Sequence, residues 1–130
     1  MKVKYYYSAC VGITTPDVSI LCDPWFTDGI YDGSWYQFPK FENPINRIGR
    51  YDIIYISHIH PDHYDPVFLR EYLKKYPTTK IIAKEKFLIN SIKSEGFSLC
   101  DNYQFNETYI NIVFNDTESV SDIDTALVVR

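Results

Sequence analysis

The seven residues Tyr51 to Ser57 (YDIIYIS) are almost unbrokenly apolar and run directly into HIHPDHYDP. A run this short and this apolar reads as a strand covered on both faces, the kind found in parallel sheets flanked by helices. Asp65 then offers an N-cap carboxylate and Pro66 a first helical residue whose missing N–H costs nothing. Phe68, Leu69, Tyr72, Leu73 and Tyr76 follow at spacings of three and four, Arg70, Glu71, Lys74 and Lys75 take the solvated side, and Pro77 stops the helix. KIIA is the next strand, EKFLINSIKSEG the next helix with Leu88, Ile89 and Ile92 inward and Gly96 as its stop, and FSLC a third strand. Strand, helix, strand, helix, strand is an α/β pattern.

Before this unit, Val3, Tyr5, Tyr7, Ala9, Val11 and Ile13 share one parity, which predicts a single half-buried strand broken by TTPD. VSILCD is expected to return as the second strand of a hairpin, and DPWFTDGIYDGSWYQFPKFENP is a long loop without a regular period. After it, TYINIVF and IDTALVVR read as antiparallel strands joined by the acidic turn NDTESVSD. The 130 residues suffice for one domain, since a chain of this size buries roughly two thirds of its unfolded surface. The apolar strand TALVV ends one residue before the terminus, so residues 1–130 are expected to form one domain that is incomplete at its C-terminus or leans on a partner.

A net charge of -4 with scattered lysines leaves no electrostatic footprint for nucleic acid. No apolar stretch approaches the roughly 18 to 20 residues that span a bilayer, and MKVKYYYSACVG lacks the apolar core of a signal peptide, so a soluble, cytoplasmic protein without membrane contact is expected. Cys10, Cys22 and Cys100 are odd in number and lack CxxC spacing, which argues against a disulfide framework and a thiolate zinc site.

All three histidines of the chain lie between positions 58 and 63. Alternation places His58 and His60 side by side as the strand ends, where open α/β sheets bind ligands. Paired imidazoles at i, i+2 can reach one metal ion, and Asp62 and His63, displaced by the turn at Pro61, can face a second.

The resulting spacing, H-x-H-x-D-H over His58, His60, Asp62 and His63, resembles that of the metallo-β-lactamase superfamily. The resemblance implies an αβ/βα sandwich, of which this chain would be the N-terminal half. It implies His58 and His60 as ligands of a first metal, and Asp62 and His63 as ligands of a second. Asp62 would also orient the hydroxide nucleophile, and Asp23, in LCDPW, would steady a histidine from behind. The family completes its centre with later residues, including further histidines that this chain lacks after His63. Asp116, Glu118, Asp122 and Asp124 stand near one such place. Trp25, Trp35 and Tyr36, with Phe38, are expected to wall a substrate pocket. Their loop loosely resembles loops of members related to the CMP-sialic acid hydroxylase, although the iron–sulfur Cys/His pairs of that hydroxylase have no counterpart here.

The expected function is therefore a zinc-dependent hydrolase, with one or two ions and with iron or manganese as alternatives, acting on an ester, lactone, amide or phosphodiester of a small-molecule substrate. By itself the chain is expected to be weak or inactive. The alternative, from a different class, is a non-catalytic or assembly module with an incomplete metal site. In that case the sheet edge would seek a second copy or a missing C-terminal half.

Overall fold

The fold is built outward from Ile53–Tyr55, three buried residues that form the strand β4. The computed structural model describes residues 1–114 and 124–130. The strands β1 (Lys2–Tyr7), β2 (Cys10–Thr14) and β3 (Ser19–Cys22) precede β4, with the short segments α1 (Ile30–Gly33) and α2 (Pro44–Ile48) between β3 and β4. After β4 come α3 (Pro66–Lys75), β5 (Lys80–Ile82), α4 (Lys86–Ser94), β6 (Gln104–Phe105), β7 (Thr108–Phe114) and β8 (Thr125–Val129). One sheet has the order β1-β2-β3-β4-β5 and the other β6-β7-β8.

β4 pairs in parallel with β3 on one side and β5 on the other, with Cys22 opposite Tyr55 and Tyr55 opposite Ile82. Its alternate residues serve two cores. Ile54, with Ile56 beyond it, packs with Leu69, Tyr72, Leu88 and Ile92 of α3 and α4. Ile53 and Tyr55 pack with Ile20, Cys22, Ile110 and Ile112, so the second sheet covers the opposite face. Helices, five-stranded sheet and three-stranded sheet thus form successive layers, the α/β class expected from the strand–helix pattern in the sandwich that the family resemblance implied.

The N-terminal expectation of one strand is corrected to a hairpin. Ser8 and Ala9 form a two-residue turn, Ser8 adopts a φ of 47°, and Tyr7 pairs with Cys10. A two-residue turn pairs positions of opposite parity, Tyr7 with Cys10, but a register shift between Tyr5 and Tyr7 restores the count, so that Tyr5 faces Val11 and Val3 faces Ile13 and the alternation reads through the turn as though the chain were straight. The inward residue of β1 is Tyr6, whereas Val3 and Tyr5 lie exposed on this outer strand. The Tyr6 and Tyr51 hydroxyls are 2.8 Å apart beneath β2. Gly12 makes room for them, since a Cβ there would overlap the Tyr51 hydroxyl.

VSILCD returns antiparallel to β2, as expected. FSLC forms only a bridge, with Leu99 beside Ile81, in place of the expected strand. The short elements α2 and β6 had no periodic pattern to announce them. β7 and β8 pair antiparallel, Ile112 opposite Leu127, while the acidic turn predicted between them lies outside the described residues. Cys10, Cys22 and Cys100 are free and buried. Among the described residues no helix is long and apolar enough to cross a membrane.

Asp52 clips the entrances of β3 and β4 together. Its carboxylate accepts from the Ser19 backbone N–H at 3.0 Å, from the Ser19 hydroxyl at 2.6 Å and from Arg50 at 2.9 Å. Burial pulls its pKa up, but these bonds and the Arg50 charge outweigh burial and hold it below the ordinary carboxylate value. A group with a depressed folded pKa contributes stability above its unfolded pKa and loses it as pH falls through the folded one. Asp52→Asn should therefore flatten the loss of unfolding free energy below about pH 4, as followed by urea denaturation at a series of pH values. An unchanged acid limb would show that Asp52 is not among the groups that drive it.

Candidate metal centre

β3 and β4 end side by side, and this sets Asp23 next to the start of the histidine segment. The Asp23 backbone N–H donates to the Tyr55 carbonyl at 2.9 Å, and Asp23 takes a left-handed φ of 43°. A non-glycine residue in that region costs roughly 1–2 kcal/mol, and such strain concentrates at functional sites. The buried Asp23 carboxylate accepts from the Ser57 backbone N–H at 2.7 Å and from the Ser57 hydroxyl at 2.8 Å, and it lies 3.0 Å from His63 Nδ1.

Proton accounting in this cluster fixes what both inner Nδ1 atoms do. The Ser57 hydroxyl hydrogen goes to Asp23, so Ser57 Oγ can only accept from His58 Nδ1, 3.0 Å away. His63 Nδ1 faces an acceptor-only carboxylate and must donate. His58 therefore carries its proton on Nδ1 and presents a bare Nε2, whereas His63 has a carboxylate at each ring nitrogen and gives up its Nε2 proton only when that atom takes a metal. His58 Nε2 lies 3.0 Å from His60 Nδ1, and His63 Nε2 lies 3.4 Å from Asp62 Oδ2. The His58 and His63 rings have centroids 4.0 Å apart, which puts the two donor pairs side by side.

The comparisons with known proteins bear on what this arrangement belongs to. The beta-lactamase superfamily domain matches residues 2–123. The chain belongs to the beta-lactamase superfamily. Within this superfamily setting, its fold resembles that of a metallo hydrolase from the archaeon Ignicoccus hospitalis, with a TM-score of 0.67 and 16% identity over 98% of this chain and 55% of that one. A protein of Mycolicibacterium smegmatis named as a Rieske 2Fe-2S iron–sulfur protein is 45% identical over 58 residues, 44% of this chain and 11% of that one. The cytidine monophosphate-N-acetylneuraminic acid hydroxylase of Danio rerio is 27% identical over 126 residues, 94% of this chain and 20% of that one. The chain thus spans about half of the solved relative and a fifth or less of the two curated ones.

A superfamily domain of this kind calls for a metal, and the donor chemistry fits one. Ligands at about 2.0–2.1 Å in tetrahedral array stand roughly 3.3–3.4 Å apart, close to the separations within the His58–His60 and Asp62–His63 pairs. The fit is of two open pairs. Among the described residues no group of three or more His, Cys, Asp and Glu side chains is arranged as a metal site. Asp124 does not close the first pair, because its carboxylate lies 3.6 Å from His58 Nδ1, on the side of the ring away from Nε2. Asp116, Glu118 and Asp122 lie outside the described residues.

The electrostatics divide the two inner histidines. Burial, followed by the neighbouring His63, pushes the His58 pKa down, which favours a neutral ring. Burial also disfavours the charged form of His63, but the hydrogen bond and charge of Asp23 and the charge of Asp62 outweigh it and hold that pKa up. Asp62 is pulled up by burial and down, more strongly in sum, by the Tyr31 hydroxyl and the nearby histidines, so it stays an anion.

Of the aromatic residues expected to wall a substrate pocket, Trp25 is only 4% exposed and its indole N–H donates to the Thr27 carbonyl at 2.6 Å. It backs Trp35, whose ring centroid is 6.3 Å away and which is 49% exposed, while Tyr36 is 65% exposed. Three residues with a part in the cluster escaped the sequence reading. Ser57 stands directly before H-x-H, and its hydroxyl could have been suspected from that position. Tyr31 donates to Asp62 Oδ1 at 2.6 Å across 31 positions, and Thr125 donates to the Ser57 carbonyl at 2.7 Å. Neither contact leaves a local trace in the sequence.

Proposed function

We propose that this chain carries the H-x-H-x-D-H half of a metal-dependent hydrolase centre. In this reading His58 Nε2 and His60 Nδ1 hold one zinc ion, and Asp62 and His63 Nε2 hold a second. The observation that carries it is the shared anchoring of both inner imidazoles by Ser57 and Asp23, which engages both Nδ1 atoms and leaves both Nε2 atoms turned toward other ligand atoms. Metal-binding histidines typically donate their other ring N–H to a carboxylate or similar acceptor. A metal held here supplies Lewis acidity and brings the pKa of water toward neutrality. The protein's own residues bind and orient. Asp62, kept anionic, would orient the nucleophilic water, and Trp35 and Tyr36 offer apolar surface to a small substrate carrying an ester, lactone, amide or phosphodiester bond. Iron or manganese suits the same donors.

The chain alone is proposed to be a weak hydrolase, since four donors in two pairs are fewer than a dinuclear centre needs. A second reading, an assembly module with an incomplete metal site, is favoured by the lack of a closed group of three donors among the described residues. Zinc titration against a chromophoric chelator separates the two readings. On the hydrolase reading the 130-residue protein binds zinc in the micromolar range or tighter, and His58→Ala or His60→Ala weakens binding by at least tenfold. Protein that takes up no zinc at millimolar concentration would leave only the module.

A further inference from the structure

We propose that Tyr31 is a positioning residue of this centre: its hydroxyl ties down one oxygen of Asp62 and leaves the other to face His63. This rests on the metal-centre reading given above. The O–H···O contact is 2.6 Å and goes to Oδ1, while Oδ2 is the oxygen 3.4 Å from His63 Nε2. A carboxylate with one oxygen so engaged presents the other singly and loses its freedom to rotate. That is what a ligand needs if it is to serve without reorganisation.

The loop around Tyr31 is built to hold that hydroxyl in place. Gly29, Tyr31, Asp32 and Gly33 have φ values of 80°, 52°, 56° and 83°, a left-handed course that two non-glycine residues adopt only when their surroundings impose it. The Gly29 N–H donates to the Trp35 carbonyl at 2.8 Å, and the Trp35 N–H to the Ile30 carbonyl at 3.1 Å, closing the loop on itself. The Tyr31 ring packs on Trp35 with centroids 4.9 Å apart, and Trp35 packs in turn on buried Trp25. The same loop therefore carries both the exposed aromatic surface and the hydroxyl that holds Asp62.

The test is a cobalt(II) titration of the 130-residue chain, with visible absorption as the readout, for wild type, Tyr31→Phe, Asp62→Asn and the double variant. Phenylalanine keeps the ring contact with Trp35 and removes only the hydroxyl. Tyr31→Phe should weaken cobalt binding about tenfold or more and alter the ligand-field bands, while the melting temperature of the metal-free protein moves by less than about 2 °C. In the Asp62→Asn background the same change should have no further effect, because the group it acts through is gone. Unchanged affinity and bands in Tyr31→Phe would overturn the assignment and leave the metal centre standing. Equal losses in both backgrounds would also overturn it, since Tyr31 would then act without Asp62. A wild-type chain that binds no cobalt would remove both readings together.

Discussion

Asp23→Ala should weaken zinc binding by 10- to 100-fold, on the order of 1.4–2.7 kcal/mol, and should lower the folding stability of the metal-free protein by about 3 kcal/mol. The two effects have one origin. The Asp23 carboxylate takes hydrogen bonds from the Ser57 backbone and hydroxyl and from His63 Nδ1, and it is nearly enclosed. Without it the Ser57 hydroxyl is free to donate to His58 Nδ1, which flips that ring's proton onto Nε2, the atom proposed to face the metal. His63 loses the acceptor of its Nδ1–H. Chelator competition at neutral pH reads the first effect and urea denaturation the second. If zinc affinity is retained while stability falls, Asp23 is a structural residue only, and the proton accounting around Ser57 is wrong.

Asp65→Ala should lower stability by about 4 kcal/mol, a fall in melting temperature of roughly 15 °C for a chain of this size. Asp65 is buried, and its carboxylate accepts four hydrogen bonds, from the backbone N–H groups of Phe26, Thr27 and Phe68 and from the Thr27 hydroxyl, all between 2.8 and 3.0 Å. The Phe68 bond caps α3. The other three pin the start of the aromatic loop to the end of the histidine segment. Removing the carboxylate strands buried donors that water cannot easily reach, and this costs more than loss of the cap alone. Asp65→Asn, which keeps one acceptor oxygen, should lose about half as much. Thermal denaturation followed by circular dichroism measures both, and a loss of less than about 1 kcal/mol for alanine would mean that the loop relaxes to find other acceptors.

Asp65 also shows where a sequence reading stops. The pair Asp65–Pro66 announced a helix start, and the helix begins there, because capping is a local interaction between residues three positions apart. That the same carboxylate holds Phe26 and Thr27 could not be read, because the partners are nearly forty positions away and carry no periodicity. The buried strand at Ile53–Tyr55 was visible for the same local reason, and the close spacing of His58, His60, Asp62 and His63 is likewise local. The Ser8–Ala9 turn was invisible, since Ser8 enters a left-handed conformation without the glycine or asparagine that normally signals it. Tyr31 was hidden among six other aromatics of an aperiodic loop. What singles it out is distance in space, which only the fold supplies.

Thr125 begins β8 and gives its hydroxyl hydrogen to the Ser57 carbonyl, while the Tyr55 hydroxyl bonds to Thr125 in turn. Residue 57 thus answers to both layers, the imidazoles through its side chain and the far sheet through its main chain. On the proposed metal reading, a shift of Ser57 to admit a wider ion would pull on that far sheet through Thr125. Discrimination by ionic radius would then be a property of how the layers are bolted together, and a graft of the six-residue histidine segment onto another scaffold would not carry it across.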